Sequence, residues 1–356
     1  MHWSYIILIL IIICLIPATL NIIETTATHH NFHKVWYPRL YDNVTFDLHQ
    51  FDKSRKIPQE IISSGKEHMK TKSIAICSLC RNVSNAIPHA SKLFKEIGKQ
   101  FNSYQIVLME NDSEDNTRVE LMEWEKQDPN VKLLTCCDEG SCNCIFRTKT
   151  GYDYGAISHS RLEKMAKYRN KLLEYVQENA ILFDYMLVVD FDLGGTFCID
   201  GFISNFAHAD SLKWDAIFPN GRTCVPGFFG LKTMAYDSLA FVETHEEFDT
   251  DYDADKMKTI SDAGKKAKRM NEILISHTEP IKVKSAFNGF ACYKVPSLRN
   301  ASYIGQPICE HVNLHKSMHE NGFAEMYLNP DWICFCEMQG PGRGSILVVV
   351  KNYLFK

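Results

Sequence analysis

The stretch Phe183-Asp184-Tyr185-Met186-Leu187-Val188-Val189-Asp190-Phe191-Asp192-Leu193-Gly194-Gly195 constrains the fold more than any other. Its run of Val, Leu and Met reads as a buried strand, and it ends in two aspartates at alternate positions followed by a glycine pair. Residues two apart on a strand point the same way. Asp190 and Asp192 can therefore offer oxygens to one point beyond the strand's carboxyl end, where open α/β sheets hold their ligands. A hard dication such as Mn2+ or Mg2+ takes carboxylate oxygens together with phosphate oxygens. The plainer reading is that the two aspartates solvate a loop or cap a helix starting near Thr196.

With 356 residues and 45% apolar content, the chain has ample material for one large or two fused α/β domains. Its net charge of −4 leaves no basic footprint and argues against nucleic acid as a partner. Residues 6 to 23 are nearly all Ile and Leu, long enough to span a bilayer, and no small-x-small cleavage site follows them. They read as a signal anchor. Lys34 and Arg39 follow this segment and no Lys or Arg precedes it, which opposes a luminal C-terminal part. The cysteines argue the other way: of 13, Cys14 lies in the apolar segment and the remainder form an even set suited to disulfides in an oxidising compartment. Sequons at Asn43, Asn82 and Asn300 fit the same compartment. The expected protein is single-pass type II in the Golgi or ER membrane, with residues 1–23 as anchor, 24–70 as stem, 71–340 as the luminal catalytic domain and 341–356 as a tail.

From Ser73 onward, strands alternate with helices, which implies a parallel sheet with right-handed crossovers. The expected strands are 74–79, 104–109 and 131–135, with helices at 87–101 and 118–127 between them. The cysteine-dense run 136–144 lacks paired C-x-x-C knuckles and reads as disulfide-bonded rather than zinc-bound. A long helix over 159–179 then leads into the D-x-D strand, with Arg161, Arg169 and Asn170 off the centre of its apolar stripe. An Arg there is ordinarily a solvated or ion-paired side chain, but its planar fork also suits phosphate oxygens. Further on, a helix over 197–209, a strand over 214–219 and a charged loop before a surface helix are expected. Asp249, Asp251, Asp253 and Asp255 lack the Gly and Glu of a calcium loop. The segment 283–293 reads as a strand broken by a Gly turn, and a helix follows whose first turn holds Glu310 and His311. His311, His315 and His319 lie at i, i+4 spacing without the H-E-x-x-H glutamate of a zinc site. A last strand is expected at 325–328.

Glu110-x-x-Ser113-x-Asp115-x-Thr117, followed one long helix later by the D-x-D, resembles family-2-like GT-A glycosyltransferases. Arg161-x-x-x-x-Ala166-x-x-Arg169-Asn170, Tyr236-Asp237 and Ser285-x-x-Asn288-Gly289 resemble the fungal capsule and mannan mannosyltransferases and their giant-virus homologues. The resemblance spans about residues 73 to 332 in motif order. It implies a Rossmann-like, mostly parallel sheet flanked by helices, a GDP- or UDP-linked sugar donor, Mn2+ or Mg2+, and a glycan or glycoprotein acceptor. It further implies Arg81 and Glu110 beside the nucleotide, Asp115 bracing that loop, and Arg169 and Asn170 reaching the donor sugar or diphosphate. Asp190 would contact ribose or metal and Asp192 would ligate the metal. Asn288 and Gly289 would border the acceptor, and Glu310 or His311 would give acid/base help or a further metal contact. Glu110-Asn111-Asp112 stands where the family has Asp-Asp-Gly, which leaves the base open; inversion or retention and homo- or hetero-oligomer are also open.

Two other classes are compatible with parts of this pattern. A hydrophobic strand ending in D-x-D also occurs in phosphohydrolases with an aspartate nucleophile, but there it closes the first strand of the domain. A luminal carbohydrate-binding protein that kept the fold without turnover is the non-catalytic alternative.

Overall fold

The computed structural model describes residues 57–135, 159–191, 197–207, 212–227, 230–248, 259–305 and 308–335. The apolar N-terminal segment, the cysteine-dense run 136–144, Asp192 with the glycine pair, the acidic loop around Asp249 to Asp255 and the tail 341–356 lie outside the described residues.

Strands β1 (Ser73–Cys80), β2 (Ser103–Glu110), β3 (Val131–Thr135) and β4 (Tyr185–Asp190) form a parallel block in the order β3-β2-β1-β4. The chain builds outward from β1 to β3 and then returns to the other side of β1. That reversal makes the carboxyl ends of β1 and β4 the switch point at which such sheets bind ligands. The sheet continues through β9 (Phe290–Lys294), β5 (Ala216–Gly227), β10 (Met326–Phe335), β8 (Ile281–Ser285) and β7 (Val242–Glu243), with β6 (Gly230–Ala235) paired to β5. β5 and β10 are parallel, whereas β9 runs antiparallel to β4.

Alternation along the strands divides the core in two. Ile74, Ile76, Ile106, Leu108, Leu187 and Val189 face one layer, while Ala75, Cys77, Val107, Met109, Met186 and Val188 face the other. Helices α1 (Gln59–Met69), α2 (Ile87–Gly98), α3 (Thr117–Gln127) and α5 (Ile199–Ala207) cover the first face. Helices α4 (His159–Glu178), α6 (Thr259–Ser276) and α7 (Glu310–Glu320) cover the second. Each Leu, Ile or Phe buried this way contributes about 1.5–3 kcal/mol, so the core ties both helix layers to the strands that carry the site.

Three local results differ from the sequence reading. Residues assigned to the stem form α1, which packs on α5 closely enough that a Cβ on Gly65 would lie 2.3 Å from the Ile203 carbonyl oxygen. β10 continues past Pro330 to Phe335 because its register with β5 shifts between Asn329 and Ile333, a bulge that accommodates the proline. No disulfide joins any pair of the described cysteines: Cys77 and Cys292 sit inside strands as small apolar side chains, with burial pushing their thiols up. No described helix is long and apolar enough to cross a membrane.

Candidate active site

Register brings the acidic strand ends level. Cys80 pairs with Glu110, and Leu79 with Asp190, so β1, β2 and β4 finish along one edge. α4 returns over the sheet from that edge with Ala166, Leu172, Leu173 and Val176 buried, and Arg169 is carried inward with them to 3% exposure. A guanidinium so deeply placed needs partners. Its Nη2 donates to Asp190 Oδ1 at 3.1 Å and its Nε to Glu310 Oε1 at 3.2 Å, while Cζ lies 5.2 Å from the centroid of the Phe287 ring. Burial works against the charge, but Asp190 and then Glu310 outweigh it and hold the guanidinium charged more firmly than usual. Buried Nη1 has no hydrogen-bond partner among the described residues.

Glu310 opens α7, where backbone N–H groups and the helix dipole favour a carboxylate. It is 141 residues from Arg169 in sequence and almost fully buried. Asp237 is the third acid. Its backbone is left-handed (φ 52°), and its carboxyl accepts the backbone N–H of Asn288. Although the residue keeps an exposed edge, burial of its carboxyl, then Asp190 and Glu310, push its pKa well above the usual range, against Arg169 and that N–H. Two acids thus pair with one guanidinium, and the charge of a third lies within reach of it. Asn288 is fully buried, with Nδ2 donating to the Pro219 carbonyl oxygen at 2.6 Å, and the Gly289 carbonyl accepts the Asp190 N–H at 3.0 Å.

His311 stacks on Phe287 with ring centroids 3.6 Å apart and planes 17° apart. Its Nε2 is 3.9 Å from Glu310 Oε1, and neither ring nitrogen has a hydrogen-bond partner among the described residues. Burial, then Arg169, keep it neutral by lowering its pKa well below the usual value. His315, one turn on, is engaged at both nitrogens. Ser285 Oγ donates to the Ala240 carbonyl at 2.6 Å, so it accepts from His315 Nδ1 at 2.7 Å, and Nε2 is left to accept from the Tyr293 hydroxyl at 2.9 Å. With His315 taken up in this way, the three histidines of α7 do not form a zinc face.

His315 gives the fold a pH dependence. Burial, then His319, lower its pKa to about 3. A histidine depressed in the folded state stabilises fully above its unfolded pKa and loses that contribution as pH falls. Stability is therefore expected to drop from about pH 6.5 toward 3, by about 1.4 kcal/mol per pH unit for this one group. Urea titrations at a series of pH values, on wild type and His315→Gln, would check this; equal slopes over that range would remove His315 as the cause.

The remaining residues named from sequence form a ledge over β1 and β2. Glu110, fully buried, accepts Arg118 Nε at 2.7 Å and the Ser113 N–H at 3.0 Å, so both carboxylate oxygens hold the β2–α3 loop. Asp115 accepts the N–H groups of Ser84 at 3.2 Å and Thr117 at 3.0 Å; burial, the largest single effect, raises its pKa, but the hydrogen bonds from Thr117 and Ser84 together outweigh it and lower the pKa overall. Arg81 is exposed beyond β1, and its charge, with those of Asp112 and Glu110, reaches the buried Tyr168 hydroxyl, which burial first of all pushes up to about 12. Asn170 is taken up by the backbone of Tyr303, donating to its carbonyl and accepting its N–H, each at 2.8 Å. The structure therefore gathers Arg169, Asp190, Glu310, His311, Asn288 and Gly289 at one place, with Glu110, Asp115 and Arg81 on the adjacent ledge and the Asn170 side chain turned to the 301–305 loop. Asp237 and Phe287 complete the cluster. Sequence offered no role for either, since one acid in a turn and one Phe before Asn-Gly carry no pattern beyond the Tyr236-Asp237 motif.

No protein-family model matches the chain, and no curated protein does. Solved structures that match it include GT-A-type glycosyltransferases. One is a mannosyltransferase from Pyrobaculum calidifontis, solved in complex with GDP-Man and Mn2+, at 11% identity over 92% of this chain and 70% of that one, with a TM-score of 0.43. Another is residues 1–349 of S. aureus TarS, at 11% identity over 74% of this chain and 60% of that one, with a TM-score of 0.40. A third is GalNAc-T7 with UDP, GalNAc and Mn2+, at 12% identity over 80% of this chain and 47% of that one, with a TM-score of 0.41.

Proposed function

We propose that the chain is a metal-dependent glycosyltransferase that moves a sugar, mannose being the first candidate, from a GDP- or UDP-linked donor to a glycan or glycoprotein acceptor. The observation that carries this reading is the acid at the sheet's switch point: Asp190 and Glu310 both pair with the Arg169 guanidinium, and the Asp237 carboxyl lies near enough to feel all three charges. Among the described residues no three His, Cys, Asp or Glu side chains are grouped to hold a metal ion, so a hard dication here would need Asp192 as well. The carboxylates are of the right donor type, and of the causes that push Asp237 up, burial first and then Asp190 and Glu310, a cation would offset the charge of the neighbouring acids. Asp190 and Asp192 would hold Mn2+ or Mg2+, with His311 as a further contact through a ring nitrogen that no described residue engages. When bound, the ion supplies charge stabilisation for the departing nucleoside diphosphate.

The chain's own residues do the rest. Arg169 offers Nη1 to a diphosphate or donor-sugar oxygen while Asp190 and Glu310 fix its plane. Arg81 and the β2–α3 loop border the nucleotide. Glu310 takes the proton of the acceptor hydroxyl. The cellular setting proposed is the Golgi or ER lumen, with the N-terminal apolar segment as anchor.

The test is nucleotide release by the purified protein from a panel of GDP- and UDP-sugars, with Mn2+ and with chelator. Slow, Mn2+-dependent release of GDP or UDP from one donor is the expected result. Release of phosphate from simple esters would indicate a phosphohydrolase, and sugar binding without any release would indicate a carbohydrate-binding protein.

A further inference from the structure

The sequence holds four Asn-x-Ser/Thr triplets, at Asn43, Asn82, Asn111 and Asn300, and the last three lie among the described residues. The fold treats these three differently. Leu298 and Ala301 are buried and close a turn in which the Ala301 N–H donates to the Leu298 carbonyl at 3.0 Å. With Arg299 at φ −59°, ψ 127° and Asn300 at φ 60°, this is a type II turn, whose third residue is left-handed and is ordinarily Gly or Asn. Asparagine therefore suits the corner on backbone grounds alone. The consequence for its side chain is exposure, which Ser302 shares. The contacts that fix the two residues are made by their main chain: the Asn300 carbonyl accepts Asn321 Nδ2 at 3.3 Å, and the Ser302 N–H donates to Ser317 Oγ at 3.3 Å. That leaves the Asn300 amide and the Ser302 hydroxyl to solvent, on a corner held firmly from beneath.

The other two triplets are built into the ledge over β1 and β2. Asn111 is buried, its N–H donates to the Cys80 carbonyl at 3.2 Å, and Ser113 Oγ accepts the Asn82 N–H at 3.1 Å. Asn82 is half-buried, its Oδ1 accepts the Glu114 N–H at 2.7 Å, and Ser84 Oγ donates to Glu120 Oε1 at 2.6 Å. A glycan on either would displace that loop or lie across the ledge. Asn300 is well removed from it. Asn321, which holds its carbonyl, follows the last turn of α7, and the 11 residues of that helix span about 16 Å from Glu310. Beside Asn321, a Cβ on Gly322 would meet nothing within 4 Å, so the surface there is open. We propose that Asn300 is an N-glycosylation site, the one among the described triplets that the folded chain leaves to a glycan. In the transfer, Asn300 Nδ2 loses a proton and bonds to C1 of an oligosaccharide carried on a lipid pyrophosphate, which departs as that bond forms. This rests on the luminal setting proposed above and is independent of the transferase chemistry.

The experiment expresses the full chain with a C-terminal tag in a eukaryotic secretory host. Microsomes are treated with protease to locate the tag, and the protected protein is then digested with peptide N-glycosidase in heavy-oxygen water, which marks each glycan-bearing Asn for peptide mass spectrometry. The expected result is a mark on Asn300 and none on Asn82 or Asn111, with Asn43 read separately on its own peptide. Asn300→Gly keeps the left-handed corner, and Ser302→Ala leaves Asn300 in place while removing the hydroxyl that the triplet requires. Each should lose the step in gel mobility that the glycosidase otherwise removes, whereas Ser302→Thr should keep it. A protected chain with Asn300 unmarked would overturn the proposal. So would a mark on Asn82 or Asn111, or a mobility step at Asn300 that survives Ser302→Ala. A tag that the protease removes overturns the luminal setting itself, a result read before any peptide is mapped.

Discussion

Replacing Arg169 with Met is expected to lower stability by about 3–5 kcal/mol and to abolish nucleotide release. The first effect follows from what the substitution leaves behind. Glu310 stays buried with its Oε1 no longer met by Nε, Asp190 loses Nη2, and Asp237 loses a positive charge that opposes its acidic neighbours. Removing one partner from a buried charge group costs far more than the group's net contribution, because the remaining charges are still desolvated. In a domain whose total stability is about 5–15 kcal/mol, that is a large share. Arg169→Lys separates charge from shape: a single ammonium retains the charge but cannot bridge Asp190 and Glu310 while presenting a third donor. It should recover most of the stability and still lose about 10²–10³ in rate, the scale for removing one preorganised donor. Urea denaturation with parallel turnover measurements on both variants decides the matter, and a fully stable, fully active Arg169→Met would show that the triad has neither role.

Much of the frame was legible because strands buried on both faces are written as continuous apolar runs. β3 matches its expected span, and β1, β2 and α4 differ from theirs by about a residue at each end. What escaped is instructive. α1 buries only Ile62, Gly65 and Met69, and its contact with α5 depends on the absence of a side chain at Gly65, which no hydrophobic pattern records. The antiparallel direction of β9 was equally invisible, since an apolar strand reads the same either way, yet that direction delivers Asn288 and Gly289 to the end of β4. Arg169, Asp190 and Glu310 could each be singled out in the sequence, the first two by position beside the D-x-D and the third at a helix start. Their joining could not, because it is a fact of the tertiary fold. The same limit explains Glu110 and Asn170: sequence identifies them as polar groups near the site, and only the structure shows that Arg118, Ser113 and Tyr303 take up their hydrogen-bonding atoms.

Glu310→Gln should leave the fold standing and reduce transfer by about 10²–10⁴, the contribution of a positioned general base. The amide is nearly the same shape, its oxygen can still accept from Arg169 Nε, and Arg169 keeps Asp190 as a charged partner, so no buried cation is stranded. What disappears is the capacity to take a proton. This makes the substitution a sharper probe than alanine, which would also open a gap against Cys309 and His311. If Glu310 only anchors Arg169, Glu310→Gln should turn over at close to the wild-type rate, since the anchoring contact survives. If it accepts the acceptor's proton, kcat should fall with the donor KM little changed, because donor contacts lie with Arg169, Asp190 and the β2–α3 loop in the proposed arrangement. Steady-state kinetics with the donor found by nucleotide release separates the two. Glu310→Asp adds a geometric check: it keeps the proton acceptor but draws it back by one methylene from the helix start, so a partial rate recovery over Glu310→Gln would tie activity to the carboxylate, whereas equal rates in the two variants would confine Glu310 to holding the guanidinium in place.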